Sequence, residues 1–121
     1  MSWRRSTGDS YEARALAQLQ EAGLSLLERN FNTRYGEIDL ILRDGETVVF
    51  VEVRYRRGED FGGAVLSVTQ RKRQRLIRAA KLYLQAHPEL AQQPCRFDVL
   101  AFGADPSPQS CQWIRHAFEA Y

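Results

Sequence analysis

Two short runs hold most of the residues that could do chemistry in this chain. Gly36-Glu37-Ile38-Asp39-Leu40-Ile41 sets two carboxylates two residues apart, and Val49-Phe50-Val51-Glu52-Val53-Arg54 sets a third beside a guanidinium. Residues two apart on a strand share a face, so each run points its charged groups to one side. Between the runs lies Asp44-Gly45, a dipeptide suited to a two-residue type I′ hairpin because both positions favour positive φ. With Asp44 and Gly45 as the loop, Arg43 faces Glu46, and pairing continues outward until Glu37 lies opposite Glu52. Their Cβ atoms are then expected ~5 Å apart, with Asp39 the diagonal neighbour of Glu52 within ~8 Å. Like charges so placed need an offset: a cation, a neighbouring arginine, or a carboxylate that keeps its proton. Clustered carboxylate oxygens suit a hard divalent ion such as Mg²⁺, which retains several waters and needs few protein ligands. A surface network with Arg54 and Arg34 is the alternative.

The same register predicts that Ile38, Leu40, Leu42, Val49, Val51 and Val53 share the other face, apolar throughout and covered by a helix. A fourth carboxylate comes from that direction. Asp9 is the expected N-cap of a first helix, with good helix formers from Ala13 to Ala22 and Gly23 as its stop. Glu12, Leu16 and Leu19 fall at i, i+4, i+7, which puts Glu12 on the stripe facing the sheet, where a carboxylate needs a partner or a metal. A capping box with Asp9 also accounts for it.

A second helix is predicted from Thr69 to about His87. Leu76, Ile77, Ala80, Tyr83 and Leu84 form its apolar stripe, and Pro88 follows it. Arg71, Arg75 and Arg78 make a ridge on the other side, suited to phosphates, which guanidinium groups bind bidentately. Shorter segments complete the pattern: a strand from Leu24 to Phe31, one over Arg96–Phe102, an edge strand at Gln112–Ile114, and a C-terminal helix through Phe118. Gly58–Gly63 and Asp105–Ser110 read as loops. The order α-β-β-β-α-β implies an α/β fold with one mixed central sheet flanked by helices, a single domain spanning residues 1–121.

Composition narrows the function. The 121 residues carry 17 Lys or Arg and 15 Asp or Glu, a net charge of only +2. Between Arg54 and Lys81, however, nine bases face two acids, and arginine supplies 15 of the 17 bases in the chain. A positive middle segment of this kind points to a polyanion such as nucleic acid. No apolar run approaches a membrane span, and Met1-Ser2-Trp3-Arg4-Arg5 lacks the apolar stretch of a secretory signal, so a cytoplasmic location without membrane contact is expected. Cys95 and Cys111 are far apart and are expected as buried free thiols, while His87 and His116 have no ligand-spaced neighbours. Neither a dinucleotide-binding G-x-G-x-x-G nor a P-loop is present, leaving carboxylates and guanidiniums as the chemical groups.

Taken together, the two acidic runs, the Gly8–Glu12 helix start, Arg29-Asn30, Phe61-Gly62 and Arg96-Phe97-Asp98-Val99-Leu100 resemble the YraN, or UPF0102, family. That family is similar to archaeal Holliday junction resolvases and belongs to the PD-(D/E)xK, restriction-endonuclease-like superfamily. The resemblance implies Mg²⁺ (or Mn²⁺) held by Asp39 and Glu52, with Glu12 as the carboxylate that the resolvase-like branch adds from its helix. It also implies an endonuclease that hydrolyses DNA phosphodiesters, branched or damaged DNA being the expected substrate, and a homodimer, since a resolvase needs two active sites. Arg54 stands where the superfamily has a catalytic lysine; it can stabilise charge on the transferring phosphate but does not give up a proton at neutral pH. Glu12, Asp39, Glu52 and Arg54 are therefore the expected catalytic residues. Arg56, Gln70, Arg71, Lys72, Arg75 and Arg78 are the expected nucleic-acid contacts, with Arg56 and Lys72 the other cations able to take the lysine's role. Two further functions fit the same residues: a nucleic-acid-binding module of the same fold that cuts poorly or not at all, and a protein-interaction domain with an acidic partner.

Overall fold

A computed structural model describes residues 3–55, 68–103 and 111–119, with side chains from residue 10 onward. Arg56, Phe61-Gly62 and the Gly58–Gly63 and Asp105–Ser110 loops lie outside the described residues. Helix α1 (Trp3–Glu21) precedes three strands, β1 (Ser25–Thr33), β2 (Gly36–Asp44) and β3 (Thr47–Tyr55). Helix α2 (Gln70–Ala86), a 3₁₀ turn (Pro88–Leu90), β4 (Cys95–Phe102) and β5 (Cys111–Phe118) follow. The strands form one mixed sheet in the order β1-β2-β3-β4-β5, in which only β3 and β4 run parallel. A parallel pair needs a long crossover connection, and the chain between β3 and β4 carries α2.

The helices cover opposite faces. Ala15 and Leu19 of α1 pack with Leu40, Leu42, Val49 and Val51, while Leu76, Ala80 and Tyr83 of α2 pack with Ile41, Val48 and Phe50. Thr69 caps α2, its hydroxyl accepting the Lys72 N–H at 3.2 Å, so this helix runs almost over the predicted span. Gly23, at φ 102°, ends α1: its N–H reaches the Gln20 carbonyl and the Leu24 N–H the Leu19 carbonyl, a Schellman pair. The start of α1 differs from expectation. The helix begins at Trp3, so Asp9 lies within it instead of capping it, and the capping-box account of Glu12 falls away.

The β2–β3 hairpin also differs, by two residues in its register. Asp44 pairs with Thr47 and Leu42 with Val49, which makes Gly45 and Glu46 the loop. Gly45 has φ 62° and Glu46 has none of the positive φ that a type I′ turn demands at its second position. A turn that needs positive φ only at its first residue, filled by glycine, avoids placing a side-chain-bearing residue there. The regular pairing ends at Leu40 opposite Val51; extended outward it would set Asp39 level with Glu52 and Glu37 two residues past it, so the register does not make the predicted Glu37–Glu52 pair.

Strict alternation fails near the acids. Ile38 belongs with Ile41 and Phe50 in the α2-side core, not with Leu40 and Leu42 as predicted. The break coincides with Asn30 on the neighbouring strand, which adopts φ 53°, a conformation that asparagine tolerates better than most residues. The C-terminal segment departs as well: Cys111–Phe118 is one edge strand, with no helix among its described residues. Cys95 is exposed and Cys111 half-buried, so the thiols are free but not buried.

Asp98 on β4 is only 1% exposed, yet its two oxygens are fully used. Arg96 Nε reaches both, at 3.0 and 3.2 Å, the Trp113 indole N–H donates at 2.9 Å and the His116 backbone N–H at 2.9 Å. Arg96 also bridges to Asp44 at the hairpin tip. This carboxylate fastens β5 to β4 and to the turn. Asp98→Ala is expected to lower stability by about 3–5 kcal/mol, because it leaves donors unpaired around a buried ion-pair site; urea denaturation of both proteins measures it.

Candidate metal centre and basic face

The carboxylates converge because three elements end near one another. Glu12 comes from α1, Glu37 and Asp39 from β2, and one oxygen of each lies within 4.8 Å of the other two. Asn30 on β1 holds the group from one side. Its Nδ2 donates to Glu12 Oε1 and to Glu37 Oε1, both at 2.6 Å, a geometry that its positive φ makes available. Asp39 is fixed from the other side, its Oδ2 accepting the Val53 backbone N–H at 2.8 Å where the regular β2–β3 ladder has ended.

Glu52 stands next to this trio and faces α2. It is 5% exposed, and its Oε1 lies 3.3 Å from Lys72 Nζ and 3.6 Å from Arg54 Nη1. Its Oε2 is buried with no hydrogen-bond partner among the described residues. Burial raises the Asp39 pKa to about 8, helped by the charge of Glu52 and opposed by the Val53 N–H. Burial raises Glu52 as well, against the pull of Lys72 and Arg54. A site that crowds carboxylates, holds one near neutrality and leaves a buried acceptor oxygen unpaired has the donor set of a hard divalent cation.

Of the residues expected to ligate metal, Glu12 and Asp39 meet, with Glu37 as the third member of the trio and Glu52 beside it. Arg54 lies beside Glu52, its Nη1 3.6 Å from Oε1. Lys72, expected both as a nucleic-acid contact and as a cation able to take the lysine's role, reaches across from the first turn of α2 to the same carboxylate oxygen. Gln70, Arg71, Arg75 and Arg78 are exposed on α2, and the Arg78 guanidinium lies 5.6 Å from the centre of the Tyr35 ring. A cleft of about 320 Å³, including space open to solvent, runs between Tyr35, Gly36 and Glu37 on one wall and Lys72, Arg75 and Leu76 on the other. Glu37 and Lys72 thus belong both to the cleft and to the acidic centre.

Asn30 was not foreseen as part of the site. Its only signal in the sequence is a polar, weakly strand-forming residue in the middle of an otherwise strand-like run.

An α-β-β-β-α-β order, a mixed sheet with one helix on each face and acids on the central hairpin define an α/β protein with a restriction-endonuclease-like core. Residues 11–102 match the Uncharacterised protein family UPF0102, and the chain belongs to that family. A UPF0102 protein of Stutzerimonas stutzeri (strain A1501) is 56% identical over 120 residues, covering 99% of this chain and 100% of the relative. One from Xanthomonas oryzae pv. oryzae (strain PXO99A) is 53% identical over 117 residues, with 97% and 94% covered. Another from Alcanivorax borkumensis is 52% identical over 118 residues, with 95% and 93% covered.

The raised Asp39 pKa has a sign that can be tested without substrate. The folded chain holds this proton more tightly than the unfolded chain, whose value is near 3.8. The stabilisation is complete below that value and is lost as pH rises through about 8. Metal-free protein should therefore lose on the order of 1–2 kcal/mol from this group between pH 6 and pH 8. Asp39→Asn should flatten that slope and melt higher than wild type at pH 8, as followed by circular dichroism.

Proposed function

We propose that this protein is a divalent-metal-dependent endonuclease that hydrolyses phosphodiester bonds in DNA. The observation that carries this reading is the meeting of Glu12, Glu37 and Asp39 within 4.8 Å beside the buried Glu52. These carboxylates fit Mg²⁺ or Mn²⁺: Glu12, Glu37 and Asp39 would hold the ion, with Glu52 adding its unpartnered Oε2. Such an ion, when bound, supplies Lewis acidity at a phosphodiester oxygen and makes water acidic enough to attack at neutral pH.

The protein's own groups divide the remaining work. Asp39 would give up its proton to a bound cation, whose positive charge offsets the burial and the neighbouring carboxylate charge that raise its pKa. Arg54 and Lys72, both beside Glu52, would face the negative charge that grows on the phosphate during displacement. Arg54 only donates, so proton acceptance falls to a carboxylate or to solvent. Lys72 supplies from α2 the lysine that the superfamily pattern expects two residues after Glu52. Arg71, Arg75 and Arg78 extend the positive surface along α2 and would track the sugar-phosphate backbone, which fixes position without reading sequence. A cytoplasmic location agrees with this chemistry, and no helix among the described residues is long and apolar enough to cross a membrane.

A nucleic-acid-binding module that does not cut is the second reading. It is favoured by one contact: Glu52 Oε1 already has two protein cations beside it, which offset its charge without a metal. The two readings part on calorimetry and cleavage. The nuclease reading expects Mn²⁺ to bind wild type and to bind Asp39→Asn at least tenfold more weakly. Glu52→Gln should cut DNA at least 100-fold more slowly while its affinity for the same DNA stays within about twofold. Absence of cleavage of linear, nicked, flapped and four-way DNA by wild type, with either Mg²⁺ or Mn²⁺, overturns it. On either reading, Arg71→Ala and Arg75→Ala should each weaken DNA binding and lower the salt slope by about 1, as read by fluorescence anisotropy over a salt series.

A further inference from the structure

Beside the acidic centre, a stack of aromatic rings climbs from the core to the surface. Phe102 at its foot is 1% exposed, Tyr11 in the middle is half-buried, and Tyr55 at the top is 44% exposed, the one large apolar side chain so open among the described residues. Tyr11 and Phe102 have centroids 5.3 Å apart with planes tilted 43°, and Tyr11 and Tyr55 are 4.9 Å apart and stacked at 23°. The Arg14 guanidinium lies against the lower rings, 4.8 Å from Phe102 and 5.5 Å from Tyr11. The stack is tied to the centre at both of its upper members. Tyr11 immediately precedes Glu12 on α1, and Tyr55 immediately follows Arg54 on β3. Tyr55 lies three positions beyond Glu52 on β3, ~10 Å along an extended strand and on the other face of the sheet.

An aromatic column that ends in an exposed ring can be lengthened by one more flat ring, and the adjoining Arg54, with the basic ridge of α2 across the sheet, selects for rings carried on a phosphate chain. A base inside an intact duplex has both faces covered by its neighbours and offers none. We propose that Tyr55 is a stacking platform for an unpaired nucleobase next to the phosphate held at the acidic centre, so that this protein prefers DNA with single-stranded character over blunt duplex. The proposal rests on the nuclease reading for the position of that phosphate. It goes beyond that reading in naming the state of the base that the site accepts.

The test is fluorescence anisotropy with Ca²⁺ in place of Mg²⁺, using a labelled single-stranded oligonucleotide, the same strand with a run of abasic residues, and a blunt duplex of the same length. Wild type should bind the single strand at least tenfold more tightly than the abasic strand. Tyr55→Ala should lose about tenfold in affinity for the single strand and less than twofold for the blunt duplex, whereas Tyr55→Phe, which keeps the ring, should bind as wild type does. The abasic comparison needs no variant, so misfolding of Tyr55→Ala does not remove the test. Equal binding of intact and abasic strands, or equal losses on single strand and duplex in Tyr55→Ala, overturns the platform while leaving the nuclease reading in place. A single-strand preference that depends on Tyr55, in a protein that cuts nothing with Mg²⁺ or Mn²⁺, supports the platform and overturns the nuclease. Failure of wild type to bind any of the three DNAs overturns both.

Discussion

Mutual repulsion among carboxylates is the constraint around which this structure is arranged. Glu12, Glu37 and Asp39 meet within 4.8 Å, with Glu52 adjoining, in surroundings dry enough to hold Asp39 protonated near neutrality. A chain does not gather such groups without cost, and the compensations are visible. One asparagine with a left-handed backbone gives both hydrogens of its amide to two of the acids. One strand amide turns from the ladder to the Asp39 carboxylate, and two cations lean on one oxygen of Glu52. What they leave is an oxygen with no hydrogen-bond partner among the described residues and a carboxyl group whose pKa burial raises to about 8.

Asp98 provides a comparison within the same sheet. It too is a buried carboxylate, on the strand beside β3, but every lone pair it offers is met by a side-chain or backbone donor. Its environment is complete, and its work is to hold β5 and the hairpin tip in place. Glu52 is less well satisfied at similar depth, and the half-buried Asp39 is met by one backbone N–H. Incomplete satisfaction, more than burial or charge, separates a group poised for a ligand from one that is part of the scaffold.

The sheet also divides the labour between its faces. The α1 side brings Glu12 and the aromatic stack, and the α2 side brings Lys72 and the arginine ridge, and the two sets approach each other at the ends of β2 and β3. That meeting depends on the pleat being broken at Asn30 and Asp39. In a regular pleat, Ile38 would face α1 with Leu40 and the side chains around it would all turn over. The irregularity that looks like a defect in β1 and β2 is what brings acids from a helix and a strand to one point.

How much of this could be read from residues alone follows from the range of the interactions involved. Local patterns carried the helix over Gln70–Ala86, the hairpin, the strand over Cys95–Phe102, and the acids at 37, 39 and 52, because a 3.6- or 2-residue period and a turn dipeptide are properties of neighbouring residues. The hairpin register was missed by two residues because Asp44-Gly45 and Gly45-Glu46 can both form a tight turn, and the choice falls to the whole ladder together with the Arg96–Asp44 bridge. From Leu40 to the turn the faces survived that slip, since an even shift preserves parity, but the partner of Glu52 did not, and Ile38 changed face where the alternation breaks. The helix start was missed because Asp9 with Glu12 three residues on reads as a capping box, while the helix begins at Trp3 and carries both residues inside it. Only the tertiary structure could put Asn30 between two acids, carry Lys72 across to Glu52, or stack Tyr11 between Tyr55 and Phe102, for each of these contacts joins residues 7 to 91 positions apart. The sequence by itself determined which charges and rings the chain possesses and which strand or helix each would ride on. Their convergence was decided by how those elements pack, because Coulomb and stacking forces act through space over a few ångströms and take no account of separation along the chain.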